Sequence, residues 1–303
     1  QNQLIYRIQG SGSFVRRPIQ PQSKGKVLFI LPFANDLSLG NFTEGIYPVM
    51  QEQGFELMLT PVDYLEQTTA EALTEEFDGM IYYANNTNSN YDLLFELASQ
   101  GFPVVTLDKA LHEFSFPAVL ADNFEGGQLA TEHLLAQGHQ RIGYIFGERH
   151  HPQSVRQRYL GYVDQLKKQQ SSFRTKLDDP QALLSSAVSY IQENQLTGAV
   201  CENDLVAIEL MRQLKQVGVQ VPKEFAVIGF DDIQAAALVD PPLSTVKQNF
   251  AELGRLAGTK LVQLIQSTAA DLSTLAKEDE SATANQKVAV TLVVRDSTID
   301  QKQ

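Results

Sequence analysis

Asparagine, aspartate and arginine gather just beyond the ends of a series of short apolar runs. Phe33, Asn35 and Asp36 follow the first run, Asn85 and Asn86 the third, and Asp108 the fourth. Glu148 and Arg149 follow the fifth, with Arg156 and Arg158 a few residues on. Asn203 and Asp204, then Asp231 and Asp232, follow the last two. Planar amide, carboxylate and guanidinium groups can each make paired hydrogen bonds. A vicinal diol presents two oxygens at that kind of spacing, and an aromatic such as Phe33 can stack on the C–H face of a sugar ring. The set reads as a site for a polyol rather than for an apolar ligand. Asn and Asp after a strand are also ordinary N-caps of the next helix, and that reading competes for Asp204 and Asp232. It does not reach Asp108 or Arg158, which have no capping role.

Other reactive residue types carry less. His150-His151 are adjacent on a loop with no third ligand evident, so a solvated loop is expected in place of a metal site. His139, in a Gly-His-Gln-Arg-Ile turn, reads as structural. Cys201 sits in an apolar strand run, and a nucleophilic thiol would need a base partner. Gly10-Ser11-Gly12 lacks the Lys-Ser/Thr and the helix that a phosphate loop requires. Gly126-Gly127 falls inside a helical stretch and suits close helix packing. No nucleophile or metal set emerges, so the chain is expected not to be an enzyme and to need no cofactor.

The elements that must position these side chains alternate. Apolar runs at 27–31, 55–59, 79–83 and 103–107 are separated by helical stretches at 42–53, 68–76 and 91–99. The same grammar restarts after Asn123. Helices are expected at 124–137, 155–170, 180–194 and 204–217, and strands at 141–146, 198–201 and 225–230. A long amphipathic helix, 250–266, precedes a polar, acidic stretch, 267–286, read as a mobile loop, and 288–295 reads as a final strand. Continuous apolar runs suit strands buried on both faces. Strand–helix alternation predicts an α/β fold of two Rossmann-like, doubly wound lobes with parallel sheets. In such sheets ligands bind off the carboxyl ends of the strands. Ahead of this body, Tyr6-Arg7-Ile8 and Phe14-Val15 flank a glycine bend and predict a short hairpin. Residues 16–24, with two prolines and two arginines, read as a linker.

The chain has 303 residues and a formal net charge of −12, with 24 Lys+Arg against 36 Asp+Glu. So acidic a body repels phosphate backbones, which excludes its bulk as a nucleic-acid surface. A single cysteine excludes a disulfide framework. Runs of about 18 apolar residues are lacking, so no transmembrane helix is expected. The opening Gln1-Asn2-Gln3-Leu4-Ile5-Tyr6 has neither the basic nor the apolar region of a signal peptide, and a cytoplasmic location is expected.

Several motifs resemble the LacI/GalR family of transcription regulators. They are Ala121-Asp122-Asn123 with Gly126-Gly127, Gly138-His139-Gln140-Arg141-Ile142, Arg158-Tyr159-Leu160-Gly161-Tyr162, and the run Gly198 to Ala207. Val221-Pro222-Lys223-Glu224, Val227 to Ile233 and Pro241 to Gln248 complete them, in the family's order, over residues 26–298. The resemblance implies a periplasmic-binding-protein-like body of type I, with three chain crossings and effector in the cleft. It places effector contacts on Asp108, Arg158, Asn203, Asp231 and Gln248, with Phe33, Asn35 and Asp36 lining the cleft. It divides the body into a first lobe of 25–121 and 250–277 and a second of 122–249 and 278–303. Residues 1–15, ending Gly10-Ser11-Gly12-Ser13-Phe14-Val15, are similar instead to the wing of a GntR-type winged helix, with Arg7, Gly10 and Gly12 toward DNA. That pairing of reader and sensor occurs among regulators of arabinose utilisation, so L-arabinose is the favoured effector.

The expected function is a sugar-responsive repressor, a homodimer that binds operator DNA through its N-terminal head and has no membrane partner. The alternative is a solute-binding protein of a sugar transport system, which shares the fold. Lys167 to Leu183 is short for the family, so the strand usually found there is in question.

Overall fold

Val27, Leu28, Phe29 and Ile30 are all fully buried, which requires cover on both faces of their strand. The computed structural model describes residues 5–8, 12–15, 25–31, 41–83, 90–147, 151–172, 175–267 and 285–299, the first two by backbone alone. Gly10, the linker 16–24, Phe33, Asn35, Asp36, Asn85, Asn86, Glu148, Arg149, His150 and the acidic stretch 268–284 lie outside the described residues. The opening hairpin is present: Ile5–Ile8 (β1) pairs antiparallel with Gly12–Val15 (β2), Arg7 opposite Ser13.

The first sheet contains Gly25–Leu31 (β3), Phe55–Pro61 (β4), Gly79–Tyr83 (β5), Val104–Leu107 (β6), Ala118–Ala121 (β7) and Gln286–Val288 (β12). All pair in parallel, in the order β12-β7-β6-β5-β3-β4. Strand alternation sorts the cover. Val27 and Phe29 share a core with Thr43–Gln53 (α1) and Phe250–Gln266 (α8). Leu28 and Ile30 share another with Ala70–Glu76 (α2) and Tyr91–Ser99 (α3).

The second sheet contains Ile142–Ile145 (β8), Gly198–Cys201 (β9), Ala226–Asp231 (β10), Ser244–Lys247 (β11) and Thr291–Val293 (β13), in the order β13-β11-β10-β9-β8. Only β13 runs antiparallel. Asn123–Ala136 (α4) and Gln153–Lys168 (α5) cover the face that carries Phe230; Asp204–Gln216 (α7) covers the face that carries Gly229. The chain passes between the sheets three times, after β7, after β11, and between β12 and β13.

Three expectations are corrected. The final strand is not continuous: β12 joins the first sheet beside β7 and β13 joins the second beside β11, so residues 286–288 belong with the first lobe. The helix expected over 180–194 is broken into two 3-10 turns, Pro180–Ala182 and Leu184–Ser186, and a short helix, Ala187–Glu193 (α6). The break falls at Leu183, whose extended backbone makes a parallel bridge to Phe146; the Phe146 N–H donates to Ala182 and the Leu184 N–H to Phe146. That bridge is all that remains of the strand in question. Finally, β7 and β11 were not expected as strands. Ser244 and Thr245 look like loop residues, yet both are fully buried because their hydroxyls find partners.

Candidate functional site

Phe230 ends the apolar run of β10, and the chain then turns a corner through Asp231 (φ 116°) and Asp232 (φ 58°). Both values are unusual for a residue with a side chain. The corner lifts the Asp231 carboxylate toward α5, where Arg158 lies with its guanidinium 3.7 Å over the Phe230 ring. Arg158 is 5% exposed. Its Nε donates to Asn123 Oδ1 at 2.8 Å, Nη1 donates to the Glu202 carbonyl at 2.6 Å, and Nη2 lies 3.3 Å from Asp231 Oδ1. Asn123 is itself oriented, because its Nδ2 donates to the Ala121 carbonyl. Gln248 Nε2 donates to Asp231 Oδ1 at 2.6 Å. Three residues assigned by resemblance, Arg158, Asp231 and Gln248, thus form one group at the strand ends of the second sheet, joined through Asp231 by an ion pair and a hydrogen bond.

Asn203 stands differently. Its Oδ1 caps α7, accepting from the Val206 N–H at 2.9 Å, so its side-chain oxygen is committed to the helix. The capping alternative fails for its neighbours. Asp204 is fully buried, its Oδ2 accepting from the Ile233 N–H and its Oδ1 from the Thr245 hydroxyl. Asp232 accepts from Arg295 Nη2 at 2.6 Å, which ties the corner to the C-terminal segment.

The first lobe supplies Asp108, also at a positive φ (71°), directly after β6. Two residues that sequence reasoning missed accompany it. Tyr83, the last residue of β5, stands close enough to Asp108 for that carboxylate to act on its phenol. Burial first, then the negative Asp108 and Asp231, hold that phenol well above its usual range, while Arg158 works in the opposite direction. Asp231 and Arg158 belong to the other lobe, so Tyr83 stands where the two halves meet. Lys109 Nζ lies 3.8 Å from Asp108 Oδ2 and 5.5 Å from the Tyr83 ring centroid. Burial lowers its pKa; Asp108 opposes the shift and Arg158 adds to it. Tyr83 reads as one more apolar strand residue, and only the adjacency of Lys109 to Asp108 could have flagged it.

Gln153, in the first turn of α5, bridges the lobes directly. Its Oε1 accepts from the Ala110 N–H at 3.2 Å, and its Nε2 lies 2.9 Å from His112 Nε2. Beside it a cavity of about 220 Å³ is lined by Asp108, Asn123, Gln153, Ser154, Gln157 and Lys287, among others. A larger hollow of about 460 Å³ lies at the far end of α7, between Lys215 and Asp240. It is remote from the strand ends and brings no carboxylate and guanidinium face to face with the residues above.

His151 departs from the solvated loop expected of it: it is half-buried, its ring tilted against that of Phe146 with centroids 4.2 Å apart. Cys201 is buried, and burial pushes its thiol well above its usual range. Among the described residues no group of three or more His, Cys, Asp or Glu stands where it could hold a metal ion, and no helix is long and apolar enough to cross a membrane.

A family model described as a periplasmic binding protein-like domain matches residues 131–298. The chain is 28% identical to an arabinose metabolism transcriptional repressor of Geobacillus stearothermophilus, over 88% of this chain and 78% of the relative. It is 25% identical to a ribose operon repressor of Haemophilus influenzae, over 91% and 85%. The crystal structure of a LacI family transcriptional regulator from Enterococcus faecium with bound ribose superposes with a TM-score of 0.71 at 25% identity, covering 90% of this chain and 98% of that one.

Proposed function

Because the chain belongs to the family of the periplasmic binding protein-like domain, we propose that it is the sensing body of a sugar-responsive transcriptional repressor, with a monosaccharide held between its lobes. The observation that carries this reading is the Arg158–Asp231–Gln248 group of one lobe facing Asp108 and Tyr83 of the other. Each lobe brings a carboxylate paired with a cation, Asp231 with Arg158 and Asp108 with Lys109. The pairs are formally neutral, which suits an uncharged polyol better than a sugar phosphate or a sugar acid. Carboxylate oxygens accept from hydroxyls and guanidinium N–H groups donate to them, and such charge-assisted bonds are the strong ones. The resemblance adds Phe33, Asn35 and Asp36, which lie outside the described residues, as further effector contacts, and the amide nitrogen of Asn203 is free of the cap to serve with them.

L-Arabinose is the favoured sugar. Two relatives named for arabinose metabolism support it, one of them 28% identical. The β1–β2 hairpin is read as the wing of a GntR-type winged helix, with Arg7, Gly10 and Gly12 toward operator DNA, in a cytoplasmic homodimer. Sugar favours one relative placement of the lobes and releases the operator, by no more than its difference in affinity for the two states. A transport protein would share the fold, but the relatives named above are repressors. The test is a thermal-shift panel of pentoses and hexoses. L-Arabinose should raise the melting temperature most. Silence from L-arabinose beside a response to another sugar would overturn that choice, and silence from every sugar would overturn the reading.

A further inference from the structure

Resting on that reading of the cleft, we propose that Asp204 is the positioning residue of the site, holding the Asp231–Asp232 corner through the backbone that follows it. Three observations carry this. The Asp204 carboxylate is fully buried and spans two elements, accepting from the Ile233 N–H at 2.9 Å and from the Thr245 hydroxyl of β11 at 2.5 Å. The neighbouring strand is cut away to admit it, since a Cβ on Gly229 would run into Asp204 Oδ1. The corner it ties holds two consecutive aspartates at positive φ, a conformation that persists only where the surroundings over-determine it. The side chains of the corner are held by Arg158, Gln248 and Arg295. Asp204 is the tie to the backbone that follows them.

The charges that act on Asp204 come from the end of β10. Asp231 is the larger influence and Asp232 the smaller, each paired onward to an arginine. At the end of β9, burial first, then Glu202 and Asp204, act on the Cys201 thiol. Burial, then Asp231, push the Asp204 carboxyl up to about 7, against the two hydrogen bonds that favour its ionised form. The protonated acid can keep both contacts, its carbonyl oxygen accepting from Ile233 and its O–H donating to Thr245. An asparagine can do the same without titrating. A sugar over Asp231 excludes water and strengthens the field of Asp231 on Asp204. The complex then holds the proton more firmly than the free protein, and affinity rises as pH falls from 8 to 6.

The experiment is calorimetric titration with L-arabinose, or with the sugar the panel identifies, at pH 6, 7 and 8. Wild type should bind several-fold more tightly at pH 6 than at pH 8. Asp204→Asn should bind comparably at pH 6 but with a flat profile, and Asp204→Ala should lose about tenfold or more. Thr245→Val spares the carboxyl and removes one hydrogen bond to it, so it should move the inflection to higher pH even if the alanine variant fails to fold. Wild-type affinity in a folded Asp204→Ala protein, or identical pH profiles for wild type and Asp204→Asn, would overturn the proposal while leaving the sugar site standing. Absence of sugar heat in the wild type would remove the site and this proposal together.

Discussion

At the scale of single residues, the site is built from charges that burial makes expensive and partners that make them tolerable. Asp204 is the clearest case, since its carboxylate accepts two hydrogen bonds and, among the described residues, pairs with no cation. Its folded pKa, about 7, lies above the ordinary 3.8 of an aspartate, so the folded chain holds a proton that the unfolded chain releases. The sign follows from linkage: this group costs nothing below pH 4, and its cost grows as pH rises from about 4 to about 7. Asp204→Asn removes the titration and keeps the contacts. Urea unfolding should therefore show the variant gaining on wild type across that window, by a few kcal/mol at pH 8. A constant difference between pH 4 and 8 would contradict it. Arg158, Asp231 and Gln248 stand out in the sequence because each sits in a recognisable motif, and Asp108 because it directly follows an apolar run. Tyr83 does not, and Asp204 stands among the strand-end residues only with a capping reading beside it. A tyrosine closing an apolar strand looks like core, and an aspartate opening a helix looks like a cap, until the contacts across the sheet are seen.

At the scale of elements, helix ends were the easiest features to read. Gly54, Gly101, Gly138 and Gly218 all take positive φ just beyond their helices, where a side chain is disfavoured. The helix 250–266 was legible to the residue. What escaped was set by partners distant in sequence. β11 holds because Ser244 meets Arg295 and Thr298, and Thr245 meets Asp204. The last strand divides because its two halves find different sheets. Close helix packing at Gly126-Gly127 also had a local signature, and the reason is now concrete. A Cβ on Gly127 would strike the Arg158 carbonyl, and one on Gly161 would strike that of Phe124, so α4 and α5 pack backbone to backbone. Gly127→Ala should cost about 1–3 kcal/mol in thermal or urea unfolding and weaken sugar binding, because the strain falls on the residue that carries the guanidinium. Unchanged stability with full affinity would show that the crossing tolerates separation.

At the scale of the whole molecule, two sheets are joined by three passages of the chain, and hinge closure around ligands is a known repertoire of two-lobed bodies. Direct bridges between the lobes then matter beyond their individual strength. Gln153 makes two, to Ala110 and His112, across the mouth beside Asp108. Gln153→Ala should lower sugar affinity about 3- to 10-fold, mainly through faster release, without changing which sugar is preferred. Stopped-flow release and the sugar panel check this, and altered preference would mean that Gln153 touches the ligand itself. The fold class was legible because alternation of strands and helices survives any uncertainty in single boundaries. The facing of Asp108 and Tyr83 against Arg158 and Asp231 was not, because no local pattern records how two lobes close. That facing is the central claim, and calorimetric titration of L-arabinose into wild type and Asp231→Ala tests it most directly. The account predicts saturable heat with one sugar per chain in the wild type and none in the variant. Equal heat from both proteins would contradict it.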